Sequence, residues 1–467
     1  MGVASITYLS VRAYCRRKLE PGGMSEQFGG YRGRVRQILA EAGVGIEDSV
    51  KVVRDSETYE GVLVPRSEYG DEEHIVLKLK SGYNIGLRVT SSTRVERLGP
   101  GPHLAFTPPE PPQASVGLPR VAIISTGGTI ASRVDYRTGA VKPALSAMDL
   151  YRVVPELSSV ASIEAEILFS ILSENMTPRH WEALARAVAA RIEEGVDGVV
   201  VAHGTDTMGY TAAALSFALQ DLPVPVVLVG SQRSSDRPSS DAAVNLLGAV
   251  KAASEAPFAE VMVAMHGGIS DTAVHLHRGV KVRKCHTSRR DAFKSVNAEP
   301  LAVIEEGRLI VRANDLRPRD EARRLRLEPS FEEKVALLKS YPGLNSGVVE
   351  ALLSAGLKGL ILEGTGLGHV PTGCIDALRR AARDGLFVGM TSQCLWGRVD
   401  MFVYDTGRDL IAAGVTPLED MLPETALVKL MWVLGQTESP DRARKLMLTN
   451  IAGEISPRTS YRWVAPE

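Results

Sequence analysis

Two short turns carry hydroxyl groups in a pattern that suits acyl transfer. Ser125-Thr126-Gly127-Gly128-Thr129 follows the apolar run Val121–Ile124, and His203-Gly204-Thr205-Asp206-Thr207 follows Gly198–Ala202. In each, glycines let backbone amides come close to a ligand and face a developing oxyanion. A threonine hydroxyl becomes a useful nucleophile only beside a base or a cation. Asp206, next to Thr205, is suited to orient a lysine or to bind a substrate amine. Each turn alone also reads as a plain strand-to-helix turn with an N-cap. Two of them in one sheet shift the reading toward chemistry.

Other chemistry is poorly served. No GxxxxGK[ST] phosphate loop is present, and Gly364-Thr365-Gly366-Leu367-Gly368 has its third glycine one residue early for a dinucleotide fingerprint. His275, His277 and His286 lack acidic or cysteine partners at metal-ligand spacing, so no metal site is expected. His203 is expected to bond its own turn rather than act as a base. Cys285, beside Lys284, has no histidine base paired with it in the sequence.

The elements around these turns imply an α/β domain. From Arg120 onward, Val121–Ser125, Gly198–Ala202, Val226–Val229 and Val261–Met265 are unbroken apolar runs, with Ala-rich helical stretches such as His180–Glu194 between them. Such runs belong to a sheet covered on both faces, and the ends of its strands are where ligands sit. Residues 31–95 instead show short alternating strands without a helical period, which predicts a small β-barrel. The expected division is a tail (1–27), the barrel (28–98), a Pro-rich linker (99–119) and a first α/β domain (120–325). A charged connector (326–345), a second α/β domain (346–436) and a C-terminal tail (437–467) complete it.

With 467 residues the chain is long enough for two or three domains. Lys+Arg 54 against Asp+Glu 55 leaves a formal net charge of -1, which excludes a bulk electrostatic grip on nucleic acid or anionic membrane. The four cysteines, at 15, 285, 374 and 394, form no CxxC pair, which suits a reducing compartment. No apolar run reaches membrane-spanning length, and the N-terminus makes a poor signal peptide. The expectation is a cytoplasmic protein, with Met24 an alternative start.

Thr126–Ile130 and His203–Thr207 resemble the two signature motifs of the bacterial-type L-asparaginase family. The resemblance continues through Tyr136–Val141, like that family's lid, then Leu172–Pro178, Val229–Arg233, Val282–Lys284 and Gly359–Gly368. It spans roughly residues 120–435. The preceding segments Tyr59–Arg66, Ile75–Leu79 and Gly82–Gly86, with the tail Gly453–Thr459, resemble one subgroup, the D subunits of archaeal glutamyl-tRNA(Gln) amidotransferase.

That resemblance implies a two-domain asparaginase-like α/β core behind a small β-barrel, and a glutaminase that releases ammonia. By motif position, Thr129 matches the nucleophile and Tyr136 the lid tyrosine that polarises it. Thr205, Asp206 and Lys284 match a second set that activates a hydroxyl or water, while Ser173 and Glu174 match the holders of the substrate's α-carboxylate and amine. The chain itself would need no cofactor. ATP and magnesium would serve a partner E subunit, which would also meet most of the tRNA(Gln), and this chain would pair with itself as a homodimer. Only six residues separate Thr129 from Tyr136, so the lid is expected to be tight. Leu367 and His369 fall where Asn is common in the family. Two other readings stand: a free cytoplasmic L-asparaginase with an accessory barrel, and a non-catalytic scaffold whose barrel binds.

Overall fold

The structure is a computed structural model that describes residues 28–66, 71–79, 84–101, 117–127, 132–135, 140–143, 150–151, 154–233 and 240–459. Two units are distinct, one N-terminal and small, the other holding most of the chain from residue 108 onward.

In the small unit, β1 (Asp48–Arg54), β2 (Glu57–Leu63), β3 (His74–Lys78), β4 (Asn84–Arg88) and β5 (Arg94–Pro100) form an antiparallel sheet in the order β4-β3-β2-β1-β5. Alternation buries Val50 and Val52 of β1 with Ile75, Leu77 and Leu87 on one face. A helix, α1 (Gly33–Glu41), covers that face through Val35 and Leu39. The sequence reading expected no helix here. The i, i+4 pair Val35/Leu39 was its signal, spread over only nine residues.

The large unit opens with β6 (Arg120–Ser125), and two short strands, β7 (Ser132–Asp135) and β8 (Ala140–Pro143), flank the expected lid. Then come β9 (Ser162–Ile167), helix α2 (Pro178–Glu193), β10 (Gly198–Ala202), α3 (Met208–Ala218), β11 (Leu219–Gln220), β12 (Val226–Val229), α4 (Ala242–Glu255) and β13 (Val261–His266). After them run β14 (Ala273–Arg278), β15 (Val282–Lys284), β16 (Phe293–Ser295), β17 (Ala302–Glu305) and β18 (Arg308–Val311). Eight of these strands make one sheet, ordered β18-β17-β14-β13-β12-β10-β6-β9, parallel from β13 to β9 and antiparallel at the other edge. The unbroken apolar runs have their reason in period two: Ala122 and Ile124 face α2 and α3, whereas Val121 and Ile123 face α4. From β6 the chain moves to β9 on one side, and from β10 to β12 on the other. The order therefore reverses between β6 and β10, the place where a parallel sheet opens a crevice beyond its strand ends.

A second, four-stranded parallel sheet follows: β20 (Val335–Lys339), β21 (Gly359–Gly364), β22 (Phe387–Ser392) and β23 (Thr416–Pro417), after the short β19 (Arg326–Leu327), which pairs with β11. Helices α5 (Ser346–Ser354), α6 (Ile375–Arg383) and α7 (Asp405–Ala412) cover one face. On the other, α8 (Pro423–Gln436) packs against α3 of the first sheet, with Phe217 and Trp432 stacked at 5.9 Å, so both sheets share one core.

Two expected boundaries are corrected. The stretch 326–345 is not a bare connector, because β20 lies within it and pairs in register with β21. Nor is 437–467 a plain tail: α9 (Pro440–Leu448), capped by Ser439, buries Ala443 and Met447, and Glu454 beyond it is fully buried. Charge and short length hid both. No helix among the described residues is long and apolar enough to cross a membrane.

Candidate active site

Three of the sequence-predicted residues meet at the reversal point. The turn after β10 carries Thr205 and Asp206, and β15, held in a hairpin with β16, delivers Lys284. Lys284 Nζ donates to Thr205 Oγ1 and to Asp206 Oδ1, each at 2.8 Å. The lysine side chain is 15% exposed and that of Asp206 68%. The amine is thus sheltered against the threonine, while the carboxylate is largely exposed.

Ser173 adjoins this turn. It lies in a 3-10 turn after β9, is buried, and its carbonyl accepts from Thr207 Oγ1 at 2.7 Å. Glu174 is the exposed next residue. Thr126 is tied to β10 by its amide and hydroxyl, both bonded to the Ala202 carbonyl. Gly127 has φ +116°, and a Cβ there would stand 2.2 Å from the Ile171 carbonyl, so only glycine suits the step that leads out of β6. Thr129 and Tyr136 lie outside the described residues.

Two further residues support this arrangement, and the first of them escaped the sequence reading. Asp241, fully buried ahead of α4, accepts from the amides of Gln232 (3.0 Å) and Arg233 (2.9 Å) and so fixes the loop after β12. Ser240-Asp241 before an Ala-rich helix was the available signal, an N-cap pattern. His203 is the second support. Trp181 Nε1 donates to Thr211 Oγ1 (3.1 Å), whose hydroxyl lies 2.9 Å from His203 Nε2, and His203 Nδ1 is 2.6 Å from the Gly204 carbonyl. A carbonyl only accepts, so the ring proton is assigned to Nδ1 and Nε2 takes the threonine proton. The imidazole braces the turn, as expected.

Burial pushes the pKa of His203 down to about 4, against the weaker opposing pull of the Gly204 carbonyl. The folded value lies below the unfolded one, so as pH falls the unfolded chain takes up the proton first. This group therefore costs no stability above about pH 6.5 and destabilises the fold progressively down to about pH 4, by ~2 kcal/mol at pH 5. Urea titrations at pH 7 and pH 5 are expected to show less acid sensitivity in His203→Gln than in the parent. Equal sensitivity would remove His203 from this account.

The other candidates are placed elsewhere. His277 is buried against Ser295 Oγ at 2.8 Å, and His286 is exposed, accepting from two local amides. Among the described residues no three His, Cys, Asp or Glu side chains converge as a metal site. The Thr365–His369 loop closes on itself, with the amides of Thr365, Gly368 and His369 bonded within it, which leaves them unfit to cradle a phosphate.

Comparison with known proteins gives this geometry a context. The asparaginase N-terminal family matches residues 120–317, the glutaminase/asparaginase C-terminal domain 334–447, and the GatD N-terminal domain 44–98. The D subunit of the glutamyl-tRNA(Gln) amidotransferase of Metallosphaera sedula is 55% identical over 441 residues, covering 93% of this chain and 99% of that one. Its counterpart in Pyrococcus abyssi is 51% identical over 92% of this chain and 99% of its own length. Among solved structures, the thermostable L-asparaginase of Thermococcus kodakarensis superposes with TM-score 0.66 and 35% identity, over 73% of this chain and 100% of its own.

Proposed function

Because this chain belongs to the asparaginase family, and within it to the D subunits of glutamyl-tRNA(Gln) amidotransferase, we propose that it is the ammonia-supplying glutaminase of that tRNA-dependent enzyme. The observation that carries the reading is Lys284 within 2.8 Å of both Thr205 and Asp206, at the reversal point of the sheet. Thr129 attacks the side-chain amide carbon of glutamine, with Tyr136 polarising its hydroxyl. The C–N bond breaks, ammonia leaves with the threonine proton, and an acyl-threonine remains. Water adds to that ester, activated from the Thr205–Lys284 side, and releases glutamate. Asp206 and Glu174 meet the substrate ammonium, and Ser173 meets its carboxylate.

A partner E subunit, with ATP and magnesium, activates Glu-tRNA(Gln) and captures the ammonia. This chain is a homodimer within the assembly and holds no cofactor. Against a free asparaginase stands the extra chain. The solved L-asparaginase covers 73% of this chain, whereas the Metallosphaera sedula amidotransferase subunit covers 93% of it, and the GatD N-terminal domain matches residues 44–98.

The test measures tRNA binding and glutamine hydrolysis with and without the E subunit. With a net charge of -1, the chain alone is expected to bind tRNA weakly. Adding the partner should create binding that drops more than about tenfold between about 0.05 and 0.2 M salt, and should raise glutamine turnover. Tight tRNA binding by the chain alone, or hydrolysis indifferent to partner and tRNA, would favour the free asparaginase.

A further inference from the structure

The strand that carries Lys284 is short, yet the chain leading into it is anchored at nearly every residue to segments far away in sequence. Val280 accepts at its carbonyl from Thr425 Oγ1 (2.9 Å). Lys281, 1% exposed, donates to Asp420 Oδ2 at 2.7 Å, and Asp420 is 2% exposed. Arg283 pairs with Glu424 at 3.0 Å. Lys284 then reaches Thr205 and Asp206. The residues leading into β15, and Arg283 within it, are thus tied to the second α/β half, with Lys281 and Asp420 at the centre.

Asp420 is itself held by the end of the chain. Its second oxygen accepts from the Ser456 amide at 2.9 Å. The segment that supplies this amide is locked by a buried anchor: Glu454 takes the Lys429 ammonium at 2.5 Å and the Ile451 and Ala452 amides, with both side chains fully buried. Gly453, at φ +89°, lies flat on Arg278, where a Cβ would come within 2.8 Å of the arginine Cδ. Arg278 ends β14, immediately before the turn to Lys281. Arg398 closes the arrangement by donating to the Ser456 carbonyl and to Thr459 Oγ1. The Gly453–Thr459 stretch that marks the subgroup in the sequence therefore touches the root of β15 from two sides.

We propose that Gly453–Thr459 is a strap that sets the position of the catalytic lysine, and that Lys281, through Asp420, is the positioning residue that transmits its hold to Lys284. Two buried opposite charges are costly to desolvate, and an apolar pair of similar size often stabilises a fold as well or better. What the ion pair supplies that an apolar pair would not is a fixed direction: the ammonium, the carboxylate and the Ser456 amide lie in one hydrogen-bonded line. With the strap in place, Lys284 Nζ is held against Thr205. With it undocked, β15 keeps its two-stranded pairing with β16 but loses its backing, and the 2.8 Å contacts of Lys284 lengthen. The inference rests on the glutaminase reading of the site.

The experiment uses the full chain with its partner. Three lesions are compared with the parent: termination after Asn450, Ser456→Pro, which removes the amide donor, and the doubly apolar Lys281→Met with Asp420→Leu, which keeps burial without stranding a charge. Turnover is normalised to active sites titrated with a diazo-ketone analogue of glutamine, so that misfolded protein is not counted. Each lesion should lower kcat per titrated site by about tenfold or more while KM moves less than about threefold, and Lys281→Arg should retain more than about a third of parental kcat. If Ser456→Pro and the apolar pair keep parental kcat per site, the strap is structural only and the proposal is overturned, whatever happens to Tm. A parent that does not hydrolyse glutamine would sink the glutaminase reading instead, so the two failures are separable.

Discussion

Replacing Thr129 by alanine is expected to lower glutamine hydrolysis by about 10⁴-fold or more, while amidation driven by free ammonium continues in the assembled enzyme. The size of the effect follows from removal of the nucleophile itself: water must then attack the amide directly, and only binding and oxyanion stabilisation remain. The fold should survive. The end of β6 is fixed by residues before Thr129, with Thr126 bonded to Ala202 and Gly127 against the Ile171 carbonyl. The substitution removes only a hydroxyl and a methyl from an already small side chain. The informative comparison is between two assays on one preparation, glutamine-dependent and ammonium-dependent amidation. Equal loss of both would point to failed assembly or to another nucleophile.

The second large effect is expected at Lys284. Lys284→Met should reduce kcat by about 10³-fold with KM changed less than about threefold, since proton transfer by a positioned side chain is worth about 10²–10⁴. The methionine preserves the buried stem of the side chain, so packing against the hairpin stays and only the two 2.8 Å donations to Thr205 and Asp206 are lost. Asp206→Asn is the contrast: its carboxylate is largely exposed at the mouth of the site, so KM should rise as well as kcat fall. Steady-state ammonia release over a range of glutamine concentrations reads both parameters. A lysine variant altered in KM alone would make Lys284 a binding group and move the proton transfer elsewhere.

The two layers of the sheet were legible because a strand buried on both faces must be apolar at every position, as in Gly198–Ala202 and Val226–Val229. The pairing of Thr205 with Asp206 could be read from adjacency. Lys284 could not, for it stands 79 positions from Thr205 and no local period links β10 to β15; family resemblance alone pointed to it. Asp241 went unnoticed because the two partners that tie it to the loop after β12 are backbone amides, which every residue but proline possesses, and Asn245 Nδ2 adds a side-chain donor. Helix α1 and helix α9 were hidden by brevity, each spanning nine residues with only two buried positions. In such elements tertiary packing rather than local pattern decides the outcome.

The distance along the chain between Lys281 and its partner, 139 positions, also has a temporal meaning. A ribosome adding about 5–20 residues per second completes both strand ends that carry the hydroxyl turns well before it reaches Asp420, and longer still before Ser456. During that interval Lys281 lacks Asp420, its carboxylate partner. An early hydrolase would waste glutamine beside the ribosome with no acceptor for the ammonia. On the strap proposal, the acid that anchors Lys281 and the Ser456 amide behind it are made after both hydroxyl turns and Lys284, so the lysine geometry is completed later than the turns it serves.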